Sequence, residues 1–294
     1  MRATYIKEKV ETLVMGTKLI SVTDMCSYKF CKRGLYLKKV LGFREPLKPV
    51  MLLGSIRHKV YDDANNKEEE LVKQVTSDLN RQEIVQMFSN AYNAILNKSV
   101  YNFTPQLESL EMDKNEVTEQ MRETVSLQSQ NRADEIISFS SKEKLFGQEL
   151  WEKLTPKILS ELRISSDKLR LKGIVDRIEV HGNEYVPVEI KTGKAPFEGV
   201  WPDHRLQLSA YAMLLNEKFK VKIKEALVKY VKTDQTRQIV MNPFMEHEVT
   251  TAVNDVFNLI EQKDIPDFCG KSYCSICSFG DEYEKHLVKK TAAY

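Results

Sequence analysis

Apolar positions along this 294-residue chain keep a helical rhythm over the first half and change to a strand rhythm near Arg163. Ser21-Val22-Thr23-Asp24 reads as a helix start, because Ser, Thr and Asp side chains accept hydrogen bonds from the first free N–H groups of a helix. This helix is expected to run to about Val40, with Gly42 just past its end, where a left-handed stop is easy. Pro46 and Pro49 mark a connection, and a second helix begins near Met51, carrying Gly54 and His58. From about Asp62 to Lys153 the chain is polar, poor in Gly and helical in pattern. There Ile84, Met87, Phe88, Tyr92, Ile95 and Leu96 recur at helical spacing. Residues 108–135 are acidic with few aromatics, and no chemistry is evident in them.

Beyond Arg163 the spacing shortens. Lys168 to Val180 is rich in Leu and β-branched residues, His181-Gly182-Asn183-Glu184 has the composition of a turn, and Tyr185 to Lys191 reads as a second strand. Together they predict a β-hairpin. A helix with an apolar face follows at 204–216, then a strand at 223–232, a turn at Thr233-Asp234-Gln235-Thr236, a short strand at 237–241 and a helix at 245–262. Pro266 opens a cysteine-rich tail. Strands interleaved with helices predict an α/β fold with a small mixed sheet. The chain divides on this pattern into a helical part at 1–60, a helical insertion at 61–160, a sheet-bearing core at 161–262 and a tail at 263–294.

Composition and charge narrow the class. Hydrophobic residues make up 42% of the chain and charged ones 29%, which suits a buried core in a soluble protein. No apolar run reaches the roughly 18 residues a membrane span needs. Residues 1–16 mix both charge signs and lack a signal peptide's apolar core, so a cytoplasmic location is expected. The net charge of +2 hides an asymmetry: residues 1–60 hold 13 Lys/Arg against 4 Asp/Glu. A basic N-terminal portion can track a phosphate backbone, although a solvated basic face gives the same count. Cys26, Cys31, Cys269, Cys274 and Cys277 occupy the two ends of the chain. In a long cytoplasmic chain, a metal or cluster site is the better reading than a disulfide scaffold.

Asp176, Glu189 and Lys191 form the central constellation. Period-two alternation puts Glu189 and Lys191 on one face of their strand and Val188 and Ile190 on the other. Asp176 lies on the preceding strand, in phase with Ile174 and Ile178. Two carboxylates on adjacent strands can hold a hard divalent cation, which polarises a phosphodiester and acidifies water. Lys191 is placed to orient that water or to stabilise charge developing on phosphate. Any one of these residues alone is ordinarily part of a hairpin's solvated face. The strand Tyr185–Lys191 is apolar enough to be buried, however, and burying charge without a task is costly. His58 offers a neutral nitrogen ligand, compatible with manganese as well as magnesium. Gln207 and Tyr211, four apart on a helix, share a face that can back this site.

Four ordered motifs carry a resemblance: Gly54-x-x-x-His58, Gly173-x-x-Asp176, Glu189-x-Lys191 and Gln207-x-x-x-Tyr211. With the stretch from Ser27 to Tyr36 and the C-terminal cysteines, the chain resembles the CRISPR-associated RecB-like exonucleases of the Cas-four type, within the PD-(D/E)XK nuclease superfamily. The likeness covers residues 20–60 and 163–280 and omits about 62–150. It implies a restriction-endonuclease-like core with a mixed sheet, a helical N-terminal lobe and a cysteine-rich C-terminal cluster region. The implied activity is exonucleolytic cutting of single-stranded DNA, chiefly 5′ to 3′, with Mn²⁺ or Mg²⁺. The implied role is processing of spacer DNA beside a CRISPR integrase complex. His58, Asp176, Glu189 and the carbonyl of Ile190 would be the metal ligands and Lys191 the catalytic lysine, with Gln207 and Tyr211 in support.

The same resemblance assigns Cys31, within Tyr28-x-x-Cys31-x-Arg33, together with Cys269, Cys274 and Cys277 to a [4Fe–4S] cluster. Here the family pattern is modified, since no Cys follows Cys277 and Cys269 takes that place. Thiolates at this spacing also bind zinc, which is the alternative. Two other functions fit the residues. One is a DNA-repair nuclease working with a separate helicase, as the chain has no phosphate-binding G-x-x-x-x-G-K-[ST] loop of its own. The other is a non-catalytic iron–sulfur DNA-binding scaffold. The oligomeric state is not legible in the sequence.

Overall fold

The computed structural model describes residues 18–267, apart from positions 45, 192, 232, 234 and 263. In chain order the elements are β1 (Ile20–Ser21), α1 (Val22–Phe30), α2 (Lys32–Lys39), α3 (Pro49–Lys73), α4 (Arg81–Asn102), α5 (Thr104–Ser109), α6 (Lys114–Glu143) and α7 (Gly147–Lys153). They continue with β2 (Lys157–Ser166), β3 (Leu171–His181), β4 (Glu184–Lys191), α8 (Pro202–Phe219), β5 (Glu225–Tyr230), β6 (Gln235–Val240) and α9 (Pro243–Glu261). The fold is α/β, with all the described strands in one mixed sheet. No helix among the described residues is long and apolar enough to cross a membrane.

The sheet is built around β3. One of its edges pairs antiparallel with β2 from Val180 back to Leu171. The other edge is shared: β1 runs parallel to Leu171–Lys172, and β4 runs antiparallel to Arg177–His181. Neither of those two ladders covers residues 173–176. The β3–β4 hairpin closes through Gly182 and Asn183, with Gly182 at φ +62°, and glycine at the first central position suits the twist of such a turn. β4 pairs parallel with β5, and parallel neighbours need a long crossover, which α8 supplies. β6 completes the sheet antiparallel to β5.

Two apolar cores result. The first packs β1, β3 and β5 with α1, α2, α8 and α9 through residues such as Met25, Tyr36, Val175, Leu208, Tyr230 and Val256. The second belongs to the helices α3–α7. On α3 the residues Leu52, Ile56, Val60 and Ala64 recur every fourth position and are fully buried, which is one helix face. α4 and α6 lie antiparallel, as Ser89 meeting Ser129 and Arg81 meeting Asp134 require. This lobe joins the sheet by polar contacts: Ser160 Oγ donates to Asp62 at 2.7 Å, Lys229 to Gln128 at 3.4 Å and Arg132 to the Pro156 carbonyl at 3.0 Å.

Three local differences from the sequence pattern have physical reasons. The helix expected from Ser21 to Val40 breaks at Cys31, which is extended at φ −157° and ψ 102°. Its Sγ accepts the Gly34 N–H at 3.2 Å and so caps α2. The helix near Met51 starts at Pro49, a favoured first-turn residue, and runs unbroken through positions 60 and 61, where the sequence pattern was divided. Before the hairpin stands an additional long strand, β2, whose apolar alternation of Ile158, Leu162 and Ile164 is interrupted by Ser160. The expected cysteine tail, with Cys269, Cys274 and Cys277, lies outside the described residues.

Candidate active site

The gap on β3 between its β1 and β4 ladders opens into a cleft of about 1290 Å³. Asp176 stands at the end of this gap. The β3–β4 ladder stops at Arg177–Val188, so Asp176 and Glu189 are the next residues on their strands, where β3 and β4 no longer pair with each other while Glu189 stays paired with Val228 of β5. α3 closes the cleft from the other side, presenting His58 from roughly the opposite face to its buried stripe. His58 Nδ1 lies 3.7 Å from Asp176 Oδ1 and 3.4 Å from Glu161 Oε1. Lys59, Arg163 and Lys172 line the same cleft and give it a cationic rim, and Phe103 reaches it from the helical lobe.

Glu189, on the cleft wall, pairs with Lys191, which lines the neighbouring hollows. Glu189 has a side chain only 5% exposed, and its Oε1 meets Lys191 Nζ at 2.8 Å. Lys191 also donates to Gln207 Oε1 at 2.9 Å, and Gln207 Nε2 donates to the Tyr211 hydroxyl at 3.4 Å. The four-residue spacing on α8 therefore produces a relay of polar groups behind the lysine. Tyr211 also explains Gly173: a Cβ there would sit 2.7 Å from the tyrosine ring and 3.1 Å from Val22. Gly54 is different, since a Cβ on it would meet open space. Ile190, half-buried between Glu189 and Lys191, faces α3 across a smaller hollow beside His58 and Tyr61.

The electrostatics follow from burial. Desolvation, with the nearby Glu189 charge adding to it, pushes the Asp176 carboxyl up to about 7. The hydrogen bond to Glu161 raises the His58 imidazole above its ordinary value; burial opposes this and the Asp176 charge adds to it. Burial works to lower Lys191, but the Glu189 carboxylate more than offsets it, so the ammonium is held above its usual range. Burial, then Glu189, raises Tyr211, which stays a neutral phenol.

The donor set suits a divalent cation. His58, Glu161 and Asp176 each offer a ligand atom, all within 4.8 Å of one another. Asp176 Oδ2 and Glu189 Oε2 are buried with no hydrogen-bond partner. Buried acceptors are nearly always satisfied, so two unmatched carboxylate oxygens in one cleft are the mark of a site shaped for a positive ligand. Of the residues singled out in the sequence, the structure brings His58 beside Asp176, and Glu189 into one network with Lys191, Gln207 and Tyr211. Glu189 is not part of the tight three-residue group. Glu161 takes that place, and the sequence pattern did not single it out. The signal available was the alternation of Ile158, Leu162 and Ile164 around it.

Cys31 lies away from this cleft, buried at the junction of α1 and α2. A hollow of about 340 Å³ is lined by Cys26, Cys31, Lys191 and Gln207. Burial pushes the Cys26 thiol up to about 12, and its Sγ is 3.8 Å from the Asp203 carbonyl. The chain after α9 passes over the same region: Arg33 donates to the Pro266 carbonyl at 2.8 Å and Tyr36 to the Gln262 carbonyl at 3.1 Å.

The sequence profile of the PD-(D/E)XK nuclease superfamily matches residues 19–281 of this chain. The chain is also similar to a CRISPR-associated exonuclease Cas4/endonuclease Cas1 fusion of Myxococcus xanthus, with 34% identity over 137 residues, 44% of this chain and 24% of that protein. A protein of the same description from Leptospira interrogans is 33% identical over 93 residues, 29% of this chain and 17% of its own length. The match thus spans about a quarter of the first relative and less of the second.

Proposed function

The chain belongs to the PD-(D/E)XK nuclease superfamily, and we propose that it is a RecB-like exonuclease of the Cas4 type, degrading single-stranded DNA from the 5′ end. Its role in this reading is to process spacer DNA beside a CRISPR integrase. The names of the two relatives, which join a Cas4 exonuclease to a Cas1 endonuclease, support that partnership. The observation that carries the reading is the meeting of His58, from a helix, with Asp176, Glu189 and Lys191, from a hairpin far along the chain, around unmatched buried oxygens.

His58, Asp176, Glu189 and the Ile190 carbonyl are assigned to hold the cation, Mn²⁺ or Mg²⁺. When bound, it supplies Lewis acidity next to the scissile phosphodiester and acidifies water there. Lys191 remains protonated and, fixed by Glu189 and Gln207, offers a positive donor where charge develops on phosphate. Gln207 and Tyr211 hold that lysine's orientation. The cationic rim of Lys59, Arg163 and Lys172 steers the backbone of the strand into the cleft. In the same reading, residues 61–160 are an insertion, 161–262 the nuclease core and 263–294 a cluster-bearing tail.

Cys31, Cys269, Cys274 and Cys277 are assigned to a [4Fe–4S] cluster, with zinc as the alternative. Two features support Cys31: its Sγ already accepts a backbone N–H, and Pro266, three positions before Cys269, is anchored to Arg33 beside it. A cluster here would tie the two ends of the chain together and add directly to folding free energy.

The test is end-labelled single-stranded DNA with Mn²⁺ or Mg²⁺, alongside iron and zinc analysis of anaerobically purified protein. Stepwise release from the 5′ end, stopped by chelation, is expected, with iron in excess of zinc. Binding without cleavage in both metals would instead make the protein a scaffold.

A further inference from the structure

We propose that Glu161, on β2, is a ligand of the divalent cation, a role that none of the four motifs gives it. The inference rests on the hydrolase reading and adds one side chain to it.

Glu161 is irregular where nothing in the sheet demands irregularity. Ser160 lies opposite Arg177 and Leu162 opposite Val175, so the register passes through position 161 unbroken and sets it across from Asp176. Yet Glu161 has φ +48°, the left-handed region that side chains other than glycine's disfavour. Strain of this kind persists when the surroundings over-determine it, and it concentrates at functional positions. Its neighbours fix it on both sides: Ser160 is tied to Asp62 on α3, and Leu162 packs against the sheet core.

The outcome is a carboxylate inside the cation's reach. Hard cations bind oxygen at roughly 2.0–2.6 Å, so ligands of one ion lie no more than about 5 Å apart. The His58, Glu161 and Asp176 atoms satisfy that limit. An independent sign of a cation is Glu189, whose side chain is 95% buried and whose Oε2 faces the same cleft without a partner. Charge agrees as well. With Asp176, Glu189 and Glu161 ionised and Lys191 protonated, the site carries two net negative charges, matching a divalent ion. Without Glu161 it carries one. A carboxylate that served only to hold His58 would have no need of this balance.

Binding of Mn²⁺ to the full chain, followed by loss of the free-ion paramagnetic resonance signal, separates these roles. The Glu161→Gln variant is expected to bind Mn²⁺ more than about 100-fold more weakly, beyond the roughly 10–100-fold that loss of a merely supporting group costs, and a loss confined to that range overturns the proposal by making Glu161 a support of His58. Its melting temperature without added cation should not fall. If Glu161→Gln keeps the parent's affinity while Asp176→Asn loses it, the proposal is overturned and the hydrolase reading stands. If the parent chain binds no Mn²⁺, both go. Should Glu161→Gln not fold, Glu161→Ala takes its place, and unweakened binding by that variant overturns the proposal equally.

Discussion

Two clusters of buried charge sit on two faces of α3, and they are finished differently. In the helical lobe, Glu68 continues the apolar stripe of α3 and is 2% exposed. Arg132 answers it with two bonds, at 2.7 and 2.6 Å, and also donates to Glu135 at 2.7 Å and the Pro156 carbonyl at 3.0 Å. All three guanidinium nitrogens are engaged, and the cluster is closed. In the cleft, Asp176 and Glu189 each keep one buried oxygen unmatched. A closed buried pair specifies how helices dock, whereas an open one, with perturbed titration, marks a place where something else completes the arrangement. Burial of charge alone separates nothing; the state of the last acceptor does.

The largest effect that would sharpen this contrast is on cleavage. Lys191→Ala should reduce the cleavage rate on the order of 10³-fold, the scale on which loss of a preorganised charge partner is felt, while the melting temperature stays near that of the parent. Full activity in this variant would break the comparison from the cleft side. Next comes the lobe. Glu68→Ala leaves Arg132 buried and short of its partner, and should cost about 3–5 kcal/mol of unfolding free energy, measured by denaturant titration, with cleavage per folded molecule unchanged. A stable variant with lost activity would make the lobe's pair part of the chemistry.

The smallest effect is a slope with pH. Asp176 in the cation-free protein keeps a proton up to about pH 7, whereas in the unfolded chain it ionises near the ordinary carboxylate value of about 4. Between those limits the folded state binds more protons, so stability must fall as pH rises, by less than about 1.4 kcal/mol per pH unit. Melting curves from pH 4 to 8 in chelator should show this decline, and Asp176→Asn should flatten it. An equally steep decline in that variant would place the titration elsewhere.

Much of this was legible in the sequence, for reasons that differ by element. The hairpin announced itself through β-branched residues at period two and the Gly182-Asn183 turn, and α4 through Ile84, Phe88, Tyr92 and Leu96. These patterns are visible because one face of each element is uniformly apolar. β2 escaped because Ser160, a polar residue in its apolar phase, serves a contact to α3 rather than solvent, so the alternation is interrupted there. Glu161 was hidden with it. The break at Cys31 was hidden because sulfur rarely takes the part of a capping oxygen. Gly173 stood out as a motif position, but its reason, the ring of Tyr211 against its backbone, exists only in three dimensions.

α3 carries His58 and Glu68 on one rigid rod, ten positions and about 15 Å apart. A partner leaning on the helical lobe and tilting that rod by about 5° around Glu68 would swing the imidazole by about 1.3 Å, given that lever arm. A displacement near an ångström is enough to cost catalysis heavily. The helical lobe, through α3, thus holds the long arm of a lever whose other end is the cleft's imidazole.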